Sequence, residues 1–185
     1  MAINCLDKMT ALVLIDLQKG IVDSPALHAT GEVVQKASHL VRVWHQQNLP
    51  VVAVRVTGGA PGRTEQARRW DGLPKDWADL VPELNLGPDD HRVTKCTWGA
   101  FTHTDLYEHL QQREVTQVVI AGIATSIGVE STARQAHELG LNVTLVVDAM
   151  TDFSMEAHQN SLVRIFPRLG ETGKVQDIDR YFGLN

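Results

Sequence analysis

The chain has 185 residues, 43% of them hydrophobic and 21% charged, with a formal net charge of -5. That length predicts a single domain over residues 1–185 that can bury a substantial core without staples, and that charge gives no electrostatic reason to expect nucleic acid or an anionic membrane as partner. No stretch approaches the ~20 apolar residues of a membrane span, the N-terminus lacks the basic region of a secretion signal, and two cysteines, Cys5 and Cys96, make neither a disulfide framework nor a zinc pattern. A reducing cytoplasm is the expected location.

In chain order, Ala11–Asp16 predicts a strand whose unbroken apolar character fits burial on both faces. Gly31–Gln47 predicts a helix, with Val33, Val34, Ala37, Leu40, Val41 and Trp44 at helical spacing and Asn48-Leu-Pro50 as its stop. Val51–Val56 is the second strand. Thr57–Pro74, rich in Gly, Pro and Arg, is expected to be a long loop over the site. His91–Lys95 is a brief third strand, and Thr104–Arg113 a helix capped by Thr102 or Thr104. Gln117–Gly122 is the fourth strand, followed after a tight turn by a helix through about Leu139, with Gly140 at its C′ position. Asn142–Val147 is the fifth strand, ending at Asp148. Met155–Ile165 is a helix stopped by Pro167, and a short strand near Gly170–Lys174 and a helix Gln176–Phe182 complete the chain. Strands alternating with helices at this spacing argue for right-handed βαβ units and an α/β fold with a parallel sheet covered on both faces.

Three apolar runs break off at chemically useful residues: one at Asp16, one at Lys95, and one in Gly122-Ile-Ala-Thr-Ser-Ile-Gly128. In an open parallel sheet ligands sit at the carboxyl ends of the strands, so an acid, an ammonium and a Gly/Thr/Ser-rich turn converging there suggest a catalytic pocket. A lone Asp at a strand end by default faces solvent or caps a turn. Leu17, Gln18 and Gly20 follow at once, however, and hold the Asp16 carboxylate at the strand mouth, where partial desolvation would raise its pKa and suit it to general acid or base work. Lys95 precedes Cys96-Thr-Trp-Gly-Ala-Phe101, a segment unlike an exposed loop, and its ammonium is placed to pair with Asp16. Neighbouring strand residues point to opposite faces, so with Lys95 in the pocket Cys96 is expected outside it, as a buried small apolar residue.

The run AGIATSIGVESTARQA after an apolar strand, with LVLIDLQ near the start and TKCTWGAF in the middle, resembles the isochorismatase-like hydrolase family of the cysteine hydrolase superfamily. The motifs stand in the family's order, and DAMTDFSMEAHQNSLVRIFPRLG resembles its usual ending. The resemblance implies a three-layer α/β/α sandwich, Rossmann-like, with a mainly parallel sheet of about six strands. It also implies a small-molecule substrate, no cofactor and a homodimer or higher homo-oligomer.

The family's cysteine hydrolases use an Asp, a Lys and a Cys. The first two match Asp16 and Lys95, whereas the Cys falls at Gly128, which has no side chain to form a thioester. True isochorismatases resemble this chain in having Gly there, and they hydrolyse a vinyl ether without a covalent intermediate. On that pattern Asp16 is the proton donor and Lys95 its electrostatic partner. The resemblance also puts a cis peptide at Ile123-Ala124 and an oxyanion hole at the N–H groups of Ala124 and Gly128. A tight strand-to-helix turn capped by Thr125 or Ser126 is the plainer reading of the same residues. Ser126 and Ser131 lack a nearby His to activate them.

Candidate substrate contacts are Gln18, Arg63, Trp98, Phe101 and Thr125. Gly58–Arg63 lacks the Lys-Ser/Thr ending of a phosphate-binding loop, which argues against nucleotide binding. Arg63, Arg68 and Arg69 are either anion contacts or a solvated basic stretch. The eight histidines are dispersed, and only Asp23 and His28 fall near the place where metal-containing relatives hold their ion, so no metal is expected. The leading expectation is a hydrolase of a small anionic metabolite using Asp-centred acid/base chemistry. A cysteine-independent amidase or other C–N hydrolase, and a binding protein that lost its nucleophile, are the alternatives.

Overall fold

The protein, described here from a computed structural model at residues 3, 5–66 and 69–184, is built on six strands in the order β3-β2-β1-β4-β5-β6, all pairings parallel. The strands are β1 (Thr10–Ile15), β2 (Val51–Val56), β3 (His91–Lys95), β4 (Gln117–Ile123), β5 (Asn142–Thr151) and β6 (Glu171–Gly173). The helices are α1 (Lys19–Val22), α2 (Thr30–Gln46), α3 (Leu106–Gln112), α4 (Glu130–Glu138), α5 (Met155–Asn160), α6 (Phe166–Leu169) and α7 (Val175–Tyr181). None of them is long and apolar enough to cross a membrane.

Two hydrophobic layers cover the sheet, as the continuous apolar strands require. Leu12 and Leu14 of β1 pack with Val33, Ala37, Leu40 and Trp44 of α2 and Ile178 of α7. Ala11, Val13 and Ile15 turn the other way, toward Leu106 and Leu110 of α3, Ala133 and Ala136 of α4 and Phe166 of α6. The α/β/α sandwich expected from the sequence is therefore what forms. Chain order reverses at β1, whose neighbours are β2 on one side and β4 on the other, and a crevice opens between the carboxyl ends of β1 and β4.

Most boundaries shift by a residue or so, and three departures from the sequence expectation have a distinct local cause. The fifth strand runs on to Thr151 rather than ending at Asp148, because a bulge interrupts its register: Leu145 pairs with Ile120 and Met150 with Gly122, so Val146–Ala149 face Ala121 alone. Pro167 does not stop the preceding helix. A wide π-helical turn over Ser161–Ile165 lets the chain continue into α6, where Pro167 stands in the first turn and its missing N–H costs no hydrogen bond. The third helix begins at Leu106, two residues later than expected, and Thr104 Oγ1 accepts from the Leu106 N–H at 3.4 Å. Thr57–Pro74 holds no regular element among the described residues. The chain beyond it is tied down by the Gln18–Leu80 bridge and by Trp77, which meets Trp70 edge to face at 5.8 Å and lies so close to Gly20 that a Cβ there would overlap the indole.

At the sheet edge, the His91 and His109 rings stack with centroids 3.7 Å apart, and His91 Nε2 lies 3.1 Å from Asp105 Oδ1. Burial, reinforced by repulsion from His91 and Arg113, pushes the His109 pKa down to about 4. The unfolded chain therefore takes up this proton first, near the ordinary value of about 6.5. The stability that neutral His109 contributes is fully present above about 6.5 and is lost as pH falls through about 4. Thermal melts between pH 7 and pH 4 should show the melting temperature falling across this window. His109→Phe, which keeps an aromatic ring against His91 but cannot titrate, should make the fall shallower; an unchanged slope would remove His109 as its source.

Candidate active site

The crevice between β1 and β4 is narrow because of one glycine. Gly122, paired with Ile15, has φ +127, and a Cβ there would overlap the Ile15 backbone, so no side chain holds the two strand ends apart. One residue beyond Ile15, Asp16 adopts φ +53, a left-handed conformation that Asp tolerates, while its N–H still donates to Val54 O at 2.9 Å. That bend ends β1 and leaves the carboxylate in the crevice, with the residue only 5% exposed.

Lys95 reaches the same place from the edge strand β3, passing the end of β2. Its Nζ donates to Asp16 Oδ2 at 2.8 Å and to Thr97 O at 3.0 Å, and the residue is 3% exposed. Two opposite charges held this far from water demand good geometry, because their desolvation is offset only by a close contact and by hydrogen bonds to the remaining donors and acceptors. Cys96, next in sequence, does point away from this pair, but it is exposed rather than buried, with Sγ 3.7 Å from Thr57 Oγ1. It lies just past the end of the edge strand β3, beside Gly58.

Gly128 forms the third side. It lies in a π-helical turn over Thr125–Val129 that leads from β4 into α4, and the Ile123–Ala124 peptide before that turn is cis. A Cβ built on Gly128 would stand 2.8 Å from Ile15 Cγ2, 3.2 Å from Asp16 Oδ2 and 3.6 Å from Trp98 O. The backbone conformation does not call for glycine here; the space does. Asp16, Lys95 and Gly128 are thus brought together as the sequence predicts.

The walls come from residues that the sequence reading did not single out. Thr132, one helical turn after Gly128, donates from Oγ1 to Gly128 O at 2.7 Å and accepts from Ala100 N at 3.1 Å. Gln135 accepts from Phe101 N at 3.1 Å and donates to Thr102 Oγ1 at 2.6 Å. The first turns of α4 thereby clamp the Trp98 segment beside Gly128. The buried Asp152 carboxylate accepts from Ser126 N at 2.6 Å and from Phe153 N at 2.7 Å, fixing the turn from the β5 side. A Thr four residues after the turn glycine was the available signal for Thr132. Asp152 was hidden by the misplaced end of β5.

The candidate substrate contacts divide. Trp98, 65% exposed, and half-buried Phe101 stand on the clamped segment at the crevice. The Gln18 amide is fully buried and engaged with both backbone groups of Val56 at 2.8 and 3.0 Å, so it closes the β1–β2 end instead of facing the crevice. The Thr125 hydroxyl donates to Thr151 O at 3.1 Å and accepts from His158 Nδ1 at 2.9 Å. Arg63 and Arg69 are exposed, and Arg68 lies outside the described residues. No three His, Cys, Asp or Glu among the described residues are grouped to hold a metal.

The model of the isochorismatase domain matches residues 10–177. The chain is 43% identical over 175 residues to the isochorismatase family protein YwoC of Bacillus subtilis, covering 91% of each chain. It is 38% identical over 178 residues to YecD of Escherichia coli O157:H7, covering 92% of this chain and 95% of the relative. The structure of an isochorismatase family protein from Burkholderia thailandensis superposes with a TM-score of 0.92 at 38% identity, over 96% of this chain and 97% of that one. The chain belongs to the isochorismatase family of hydrolases, as its three motifs imply.

Breaking a buried ion pair by removing one partner typically costs about 3–5 kcal/mol, because the other charge stays buried. Lys95→Met should therefore lower the unfolding free energy by about that much in urea titrations. Adding Asp16→Asn to it should recover most of the loss. A single variant as stable as the wild type would show that the pair is not the anchor of this end of the sheet.

Proposed function

We propose that the chain is an isochorismatase-type hydrolase that cleaves a vinyl ether in a small anionic metabolite, with Asp16 as the acid and no covalent intermediate. The observation that carries this reading is the space around Gly128. On the family resemblance this position holds the nucleophilic Cys in thiol-dependent members. Here Ile15 Cγ2 and Asp16 Oδ2 stand 2.8 and 3.2 Å from where the Cβ of such a side chain would be. The close packing of Ile15 and Asp16 around the glycine supports chemistry that needs no side chain at residue 128.

In this reaction Asp16 delivers a proton to the terminal methylene carbon of the substrate's enol ether, and the double-bond electrons form the new C–H bond. The oxocarbenium ion that results is attacked by water. The hemiketal then collapses, breaking the C–O bond and releasing pyruvate and an alcohol. Asp16 is held out of water with the Lys95 ammonium 2.8 Å away. An anionic substrate drawn in beside Lys95 would share the ammonium with Asp16. Lys95 has three N–H donors and uses two on Asp16 and Thr97, so the third is available to a substrate carboxylate. Trp98 and Phe101 would line the mouth and contact the ring of such a substrate.

General acid catalysis by a positioned group contributes typically ~10²–10⁴-fold. Asp16→Asn should therefore lower pyruvate release from isochorismate by about that factor per folded molecule, the folded fraction being read from a urea titration. Ammonia release from an amide panel would support the cysteine-independent amidase instead, and ligand binding without turnover would support a binding protein; either result overturns the proposal.

Gly128→Ala tests the space directly. The added methyl meets Ile15 Cγ2 and crowds the acid, and overpacking of this kind costs typically about 1–3 kcal/mol. The variant should be less stable in urea and should lose turnover beyond what its folded fraction explains. Wild-type stability and rate in Gly128→Ala would show that the glycine is dispensable.

A further inference from the structure

Behind the catalytic turn lies a cleft of about 240 Å³ that the proposed reaction does not use, with roughly the volume of eight waters. It is lined by α2, by the β5 bulge and by His158 of α5, whereas Gly128 packs against Ile15 in the layer of α3 and α4. Its floor is His158, 3% exposed. The Thr125 hydroxyl gives its own proton to Thr151 O, so it accepts from His158 Nδ1–H. Burial, with repulsion from His28, lowers the His158 pKa and keeps the ring neutral, which leaves Nε2 as a hydrogen-bond acceptor. The His28 ring meets His158 edge to face at 5.3 Å. The His28 backbone N–H donates to Thr151 Oγ1 at 3.1 Å and its Nδ1 lies 3.1 Å from the same hydroxyl, so Nε2 is the ring nitrogen left to meet a ligand.

The charges around the cleft are equally paired. Asp148 is neutralised by Lys36 at 3.2 Å and by the Val175 N–H at 2.9 Å. Glu32 and Lys174 remain, one of each sign, both exposed and neither in an ion pair among the described residues. Val33, Val147 and Met150 supply an apolar wall. A single anion or cation would satisfy only half of this arrangement. We propose that the cleft binds a small α-amino acid with an apolar side chain. The ammonium is held by His158 Nε2 and Glu32, the carboxylate by His28 Nε2–H and Lys174, and the side chain lies against Val33 and Met150.

Isothermal titration of the full chain with L-leucine at pH 7 tests this. One saturable site is expected, with isovalerate, which lacks the ammonium, and isoamylamine, which lacks the carboxylate, each bound about tenfold more weakly or worse. Glu32→Gln and Lys174→Met change exposed side chains and leave the core intact, and each should weaken leucine binding by about tenfold. His158→Phe should abolish it while retaining an aromatic floor. No binding of leucine up to about 20 mM overturns the proposal. So does equal binding of the two truncated analogues, or leucine affinity unchanged in Glu32→Gln and Lys174→Met.

Discussion

The arrangement of this protein turns on a single ion pair that spans three strands. Lys95 leaves the edge of the sheet, crosses the end of β2 and meets Asp16 at 2.8 Å at the point where chain order reverses. Neither side chain has appreciable contact with water. A pair like this contributes little net stability over an apolar replacement, yet it penalises any displacement of either strand end. Its value lies in position. It fixes where the carboxylate sits relative to the turn after β4, and the clamps from Thr132, Gln135 and Asp152 are arranged around that point.

The Gly128 turn is the complementary half. Family membership by itself allows either thiol chemistry or chemistry without a thiol. In this chain Ile15 and Asp16 occupy the approach that a side chain at residue 128 would need. The same close approach accounts for Thr132, whose hydroxyl links the carbonyl of Gly128 to the N–H of Ala100. The mouth of the crevice is therefore formed by backbone groups held from α4, with Trp98 left exposed at its edge.

Much of this was legible in the sequence, and the exceptions have physical causes. Apolar runs that stop at or within a residue of Asp16, Lys95 and Gly122 lie close to the ends of β1, β3 and β4, so the acid, the ammonium and the turn could be placed without coordinates. The end of β5 could not, because a bulge shifts register without altering the apolar pattern, and Asp152 went unnoticed with it. Pro167 reads as a stop until a π-helical turn is known to precede it. Burial was misjudged at Cys96 because apolar neighbours do not reveal that β3 is an edge strand. Gln18 and Thr125 sit in the right motifs, but the partners of their polar atoms, Val56 and His158, are distant in sequence.

The contact between Gly122 and the Ile15 backbone has a consequence for how such a protein can change over time. The spacing of β1 and β4 at the crevice is set by main chain against main chain, with no side chain between them. Hydrophobic layers can exchange residues of similar volume at modest cost. Substitutions accumulating in either layer can therefore proceed without widening the crevice, and the spacing of the two strand ends is insulated from that drift. Replacement of Gly122 itself is the exception, since any side chain there would force the two strand ends apart.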